Sequence, residues 1–172
     1  MKTWLIMLVA LVTGGCTTMK PEDFAGNTPS LDLFHYFDGT TRAWGLFEDR
    51  FGKVRRQFRV EIQGRMENGK LVLVEDFVYD DGETDRRTWR IRKDGDRYLG
   101  TADDVVGEAT GIVSGNALNW RYDMDLKVGD GSWRVSFDDW MFLQPGDVLI
   151  NRAKVSKFGL EIGSVSLFFI RP

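Results

Sequence analysis

The chain has 172 residues, 42% hydrophobic, 13% aromatic and 28% charged. That balance excludes a disordered tail, a collagen-like repeat and a multi-pass membrane protein, and makes one folded domain the expectation. A formal charge of −3 and a pI near 5.3 leave no basic surplus for a nucleic-acid partner.

Met1 to Cys16 reads MKTWLIMLVALVTGGC, with Lys2, an apolar run from Trp4 to Val12, and Thr13-Gly14-Gly15 before the only cysteine. The run falls well short of the roughly 20 apolar residues a spanning helix needs, and it ends on small residues. Residues 1–15 therefore read as a signal peptide. A cysteine directly after two glycines resembles the bacterial lipobox. The resemblance implies acylation of Cys16, palmitate included, and attachment of a lipoprotein to a membrane through its N-terminal lipid. Thr17, where lipoproteins kept at the inner membrane carry Asp, implies the periplasmic face of the outer membrane. A plain secretory signal with an incidental cysteine is the alternative, disfavoured because an exported protein gains nothing from a lone free thiol. Residues 16–30 hold two of the four prolines and no sustained period, so they read as a lipidated tether, leaving 31–172 as the domain.

From Leu31 onward the turns are punctuated by Asn68-Gly69, Asp81-Gly82, Asp94-Gly95, Gly115-Asn116, Gly129-Asp130-Gly131 and Pro145-Gly146. Such pairs adopt the positive φ that two-residue hairpin turns demand. Between them the chain alternates. Leu118, Trp120, Tyr122, Met124, Leu126 and Val128 share one face against Asn119, Arg121, Asp123, Asp125 and Lys127, the signature of a half-buried strand. The pattern predicts strands near 31–37, 41–50, 54–66, 70–79, 84–93, 96–102, 107–114, 117–128, 132–143, 147–155 and 158–170, one or two of them merged, so nine or ten in all. An all-β antiparallel meander of this length hides its apolar face and its edges by closing as an up-and-down β-barrel. A two-sheet sandwich is the alternative, but it needs a long crossover that the sequence lacks.

Several segments carry a family resemblance: Ala43-Trp44-Gly45 with Asp49-Arg50-Phe51-Gly52, Glu75 to Gly82, Asp104-Val105-Val106-Gly107, Phe137-Asp138-Asp139-Trp140-Met141 and Asn151-Arg152-Ala153. Together they resemble a proteobacterial lipoprotein family of unknown function, domain of unknown function 3833. The resemblance implies an outer-membrane lipoprotein with a lipocalin-like barrel, and no established activity, substrate or catalytic residue.

Motifs for chemistry are sparse. The single His35 sits in an aromatic run, reads as a strand residue, and has no Gly-x-Ser-x-Gly elbow to serve. One His and no free Cys make no zinc site, and Lys127 interrupts the resemblance of Asp123-x-Asp125 to a calcium loop. No cofactor is implied. Arg55-Arg56 and Arg86-Arg87 read as solvated charge. The informative residues are polar ones on apolar faces: Glu75 with Leu71, Leu73, Phe77 and Tyr79; Asp139 with Val135, Phe137 and Met141; Arg87 with Trp89 and Ile91. Buried carboxylates need partners, with Arg87 and Arg152 as candidates, unless a bulge at Asp138-Asp139 turns the charge outward. Glu75, Arg87, Trp120, Tyr122, Asp139 and Trp140 are accordingly the candidate binding residues for an amphiphilic or apolar ligand such as a lipid or fatty acid. A solid barrel docking on an envelope complex is the rival, and Glu75 with Asp139 as an acid and base pair is a third possibility.

Overall fold

The computed structural model describes residues 18–129 and 131–172; residues 1–15, expected to be a signal peptide, and Cys16 lie outside them. Ten antiparallel strands follow one another: β1 Gly39–Asp49, β2 Val54–Glu67, β3 Lys70–Tyr79, β4 Thr84–Asp94, β5 Arg97–Thr101, β6 Val105–Ser114, β7 Ala117–Val128, β8 Gly131–Gln144, β9 Val148–Lys157 and β10 Leu160–Ile170. Each pairs with its sequence neighbours and β10 returns to β1, so the meander closes as an up-and-down barrel and leaves no sheet edge open. The expected strand ends hold to within two residues. Asn68 and Gly69 both take positive φ, at 49° and 76°, as a two-residue hairpin turn requires.

The segment 31–37 is not the expected strand. Leu33–Phe37 forms a short helix, α1, because Asp32 caps it: its Oδ1 accepts from the backbone N–H groups of Phe34 at 2.9 Å and His35 at 3.1 Å. Leu33, Tyr36 and Phe37 then share one buried face, while His35 is exposed on the helix and does not belong to a strand. This helix plugs one end of the barrel. Tyr36 donates to the Asp147 carbonyl at 2.9 Å, Phe37 meets Phe169 edge-on, and the Phe37 carbonyl lies where a Cβ on Gly64 would stand.

The segment expected to act as a tether touches the barrel wall. Pro21–Phe24 forms a 3-10 turn, and the Phe24 ring lies 5.6 Å from Trp140 and 5.3 Å from Phe142 on the outer face of β8. Leu31 N–H donates to the Gly115 carbonyl, which closes the segment against the β6–β7 turn. Among the described residues none plugs the opposite end of the barrel, and there the turns β1–β2, β7–β8 and β9–β10 stand side by side in the strand order.

Candidate functional site

The barrel encloses a cavity of about 310 Å³, at the lower end of the range for small-molecule sites. Its wall is built from alternate residues of nearly every strand and is mostly apolar and aromatic. Two glycines shape its floor. Gly100 and Gly111 face the Trp120 indole so closely that an added Cβ would stand 2.7 Å and 2.2 Å from ring atoms, so the ring occupies the space two side chains would fill. Trp120 meets Trp89 edge-on, Trp89 meets Tyr122, and Tyr122 stacks on Phe137 at 4.9 Å between centroids.

Into this lining project two carboxyls. Glu75 on β3 stands directly opposite Arg87 on β4, with 3.9 Å between its Oε2 and the guanidinium Nη1. Arg87 has a closer partner in Asp104: its Nε and Nη2 lie 2.9 Å and 2.7 Å from one carboxylate oxygen, and Nη2 also approaches Met124 Sδ. Burial pushes the Glu75 carboxyl up to about 7, with Arg87 pulling it down and Asp104 adding to the rise. Arg87 loses solvation as well, yet the two carboxylates outweigh that loss and hold its pKa above the usual value. Desolvation, and after it the charge of Asp139, hold the Tyr122 hydroxyl well above an ordinary phenol.

Asp139 is 6% exposed and faces inward, because the β7–β8 and β8–β9 registers run through it without a shift. The bulge alternative is thereby excluded. Its partner is an amide rather than an arginine: Asn151 Nδ2 donates to Asp139 Oδ1, and Asn119 Nδ2 reaches the Asp139 carbonyl. Burial lifts this carboxyl to about 7; the Asn151 bond opposes the rise, and the charges of Asp138 and Glu75 add to it. Arg152 stands opposite Trp140 on the outer wall and pairs with neither carboxyl.

Of the candidate residues, Glu75, Arg87, Trp120, Tyr122 and Asp139 all line the cavity. Trp140 does not. Alternation sends its indole outward, where Phe24 and Phe142 cover it, and this explains why it is buried without touching the interior. The arginine pairs are also corrected, since a strand cannot point both members outward. Arg56 and Arg87 line the cavity, while Arg55 and Arg86 bond surface aspartates. Arg56 stacks 3.5 Å over the Tyr79 ring and pairs with Asp81 and Glu83 at the mouth, leaving its buried Nε without a partner among the described residues. The Asn151 Oδ1 is likewise buried and unpartnered.

Residues 10–171 match the family described as protein of unknown function, DUF3833. No curated protein is similar to the chain. Among solved structures, a protein of unknown function from the DUF3598 family of Nostoc punctiforme is similar, with a TM-score of 0.63 and 14% identity over 84% of this chain. The present chain spans about half of that protein, at 50% of its length, and the likeness is one of fold. The extent of the first match is decisive: this chain belongs to the DUF3833 family.

Proposed function

We propose that the protein is a lipid-anchored binding protein that holds a single-chain amphiphile in its barrel, alkyl chain inward and polar head at the unplugged mouth. The observation that carries this reading is the cavity itself, apolar and open at one end, with an unpartnered Arg56 Nε beside the mouth. Ten strands leave more internal room than the roughly eight whose side chains can fill a barrel. The interior void argues against the solid-barrel docking alternative. Two carboxyls deep in the wall disfavour an anionic head at the floor, and the unpartnered Arg56 Nε offers a polar head a hydrogen-bond donor at the mouth. In this proposal Cys16 carries the lipid, residues 1–15 are removed as a signal peptide, and the protein sits at the periplasmic face of the outer membrane.

Native mass spectrometry of the gently purified protein tests the binding. A co-purifying mass that extracts into organic solvent as an intact amphiphile is the expected result. A barrel with no guest, and tryptophan fluorescence unmoved by fatty acids and lysolipids, overturns it. Recovery of the guest as a cleaved product would instead favour the acid and base pair, since Glu75 and Asp139 share this cavity and both stand near 7.

A further inference from the structure

The rim of the unplugged end divides into two halves of different chemistry. The turns β1–β2, β9–β10 and β7–β8 are neighbours around the barrel, and they present Phe51, Phe158 and Leu160 at 79%, 94% and 69% exposure. The β7–β8 hairpin extends past its neighbours: β6 pairs with β7 only as far as Met124, and β9 with β8 only from Ser136. The inward face of that overhang, with Leu126, Val128 and Trp133, is therefore left uncovered at the mouth. Basic residues are interleaved with these rings. The Arg50 guanidinium lies 4.7 Å over Phe51, and Lys157 Nζ lies 3.7 Å over Trp133 and 5.5 Å from Phe158. Lys53 is exposed in the same half, and Asp49 beside it is neutralised by Arg55. Even with Asp130, which follows Gly129 in sequence, these turns carry a positive surplus. The other half of the rim, formed by the β3–β4 turn and the β5–β6 link, exposes Asp80, Asp81, Glu83 and Asp103.

Large apolar side chains left this exposed and contiguous mark a contact surface. Phe158 sits at the tip with φ of 53°, a left-handed conformation that a bulky side chain rarely adopts. From aromatic tips, interleaved lysine and arginine that outnumber the acidic residues beside them, and a far side whose exposed charges are acidic, we infer that the β1–β2, β9–β10 and β7–β8 half of the rim docks on an anionic lipid bilayer. The rings sit at the depth of the headgroups and the basic side chains meet their phosphates, which is the composition that interfacial segments share. The acidic half stays in water, so the barrel tilts and its mouth opens along the membrane surface.

A row of outward side chains continues the same flank. Trp44 pairs with Phe168, Phe168 with Ile150 and Ile150 with Phe142, beside Phe24. Between Cys16 and Lys20 the backbone reaches at most about 14 Å. A lipid on Cys16 would thus hold this flank, rather than the opposite one, near the bilayer.

Depth measurement by spin labelling tests the docking, and it does so whether or not the cavity holds a guest. The full chain with Cys16→Ser carries one label, at Leu160→Cys or at Asp103→Cys, on vesicles of phosphatidylethanolamine and phosphatidylglycerol. The label at 160 should gain collisions with oxygen and lose collisions with a water-soluble nickel complex, while the label at 103 remains aqueous. In the Lys53→Gln, Lys157→Gln background, the docked-to-undocked ratio at 160 should fall about thirtyfold, at about 1 kcal/mol for each basic residue near an anionic surface. A label at 160 that stays as water-accessible as the one at 103 overturns the inference, and a protein partner would then be the occupant. Spin–spin broadening at 160 without lipid overturns it in favour of a second copy.

Discussion

Replacing Asp139 with Asn keeps the shape of the side chain and removes its charge at every pH. In the folded protein this carboxyl holds its proton to about pH 7, whereas in the unfolded chain it releases it near the ordinary value of 3.8. Below that ordinary value both states are protonated and the contribution to stability is complete. As pH rises toward 7 the unfolded chain ionises while the folded one does not, so stability is lost across that window and levels off above it. At about 1.4 kcal/mol per pH unit, the whole gap is worth about 4 kcal/mol as a ceiling. Between pH 5 and 8 the wild type should therefore lose up to about 3 kcal/mol more than Asp139→Asn, part of it through the charge coupling of Asp139 to Glu75. Urea unfolding followed by tryptophan fluorescence at a series of pH values reads this directly. Asp138→Asn is the control, because Asp138 lies on the outer wall with Arg121 and Asn119. Parallel pH profiles for wild type and Asp139→Asn would refute the reasoning, and an effect at Asp138 alone would show that the register of β8 is misplaced by one residue.

Gly111→Ala places a Cβ within 2.2 Å of the Trp120 ring and should cost about 1–3 kcal/mol in urea unfolding, with a shifted tryptophan emission as the indole is driven into the cavity. Arg87→Met leaves Glu75 and Asp104 facing each other without a cation; because Asp104 is one-third exposed, the loss should be about 2–3 kcal/mol rather than the full cost of a buried broken pair. Cys16→Ser should abolish palmitate labelling and leave the chain unprocessed or mislocalised; labelling equal to wild type would show that another residue is the acceptor.

Period-two alternation carried most of the site. It places Glu75, Arg87, Trp120, Tyr122 and Asp139 on the inner face, and all five line the cavity. It was silent on Asp104, because that residue precedes β6 in a link where no period fixes side-chain direction. Asn151 had the same signal as Glu75, a polar residue between inward Leu149 and Ala153, but an amide draws less notice than a charge. Trp140 shows the converse fault. Its burial is real but comes from Phe24, a residue more than a hundred positions earlier that no local pattern connects to it. The helix at Leu33–Phe37 was hidden by its aromatic content, which favours a strand, while the Asp32 cap and the spacing of Leu33, Tyr36 and Phe37 were the overlooked markers.

The central claim is that the barrel interior takes up an alkyl chain, and filling the cavity tests it most directly. Ala153 lines the cavity opposite Asp139, so Ala153→Trp occupies the space an alkyl chain would use. Titration with a fluorescent single-chain amphiphile should show saturable one-to-one binding to the wild type and none to Ala153→Trp, with thermal unfolding confirming that the variant is folded. Equal binding by the two proteins, or no saturable binding by the wild type, would contradict it.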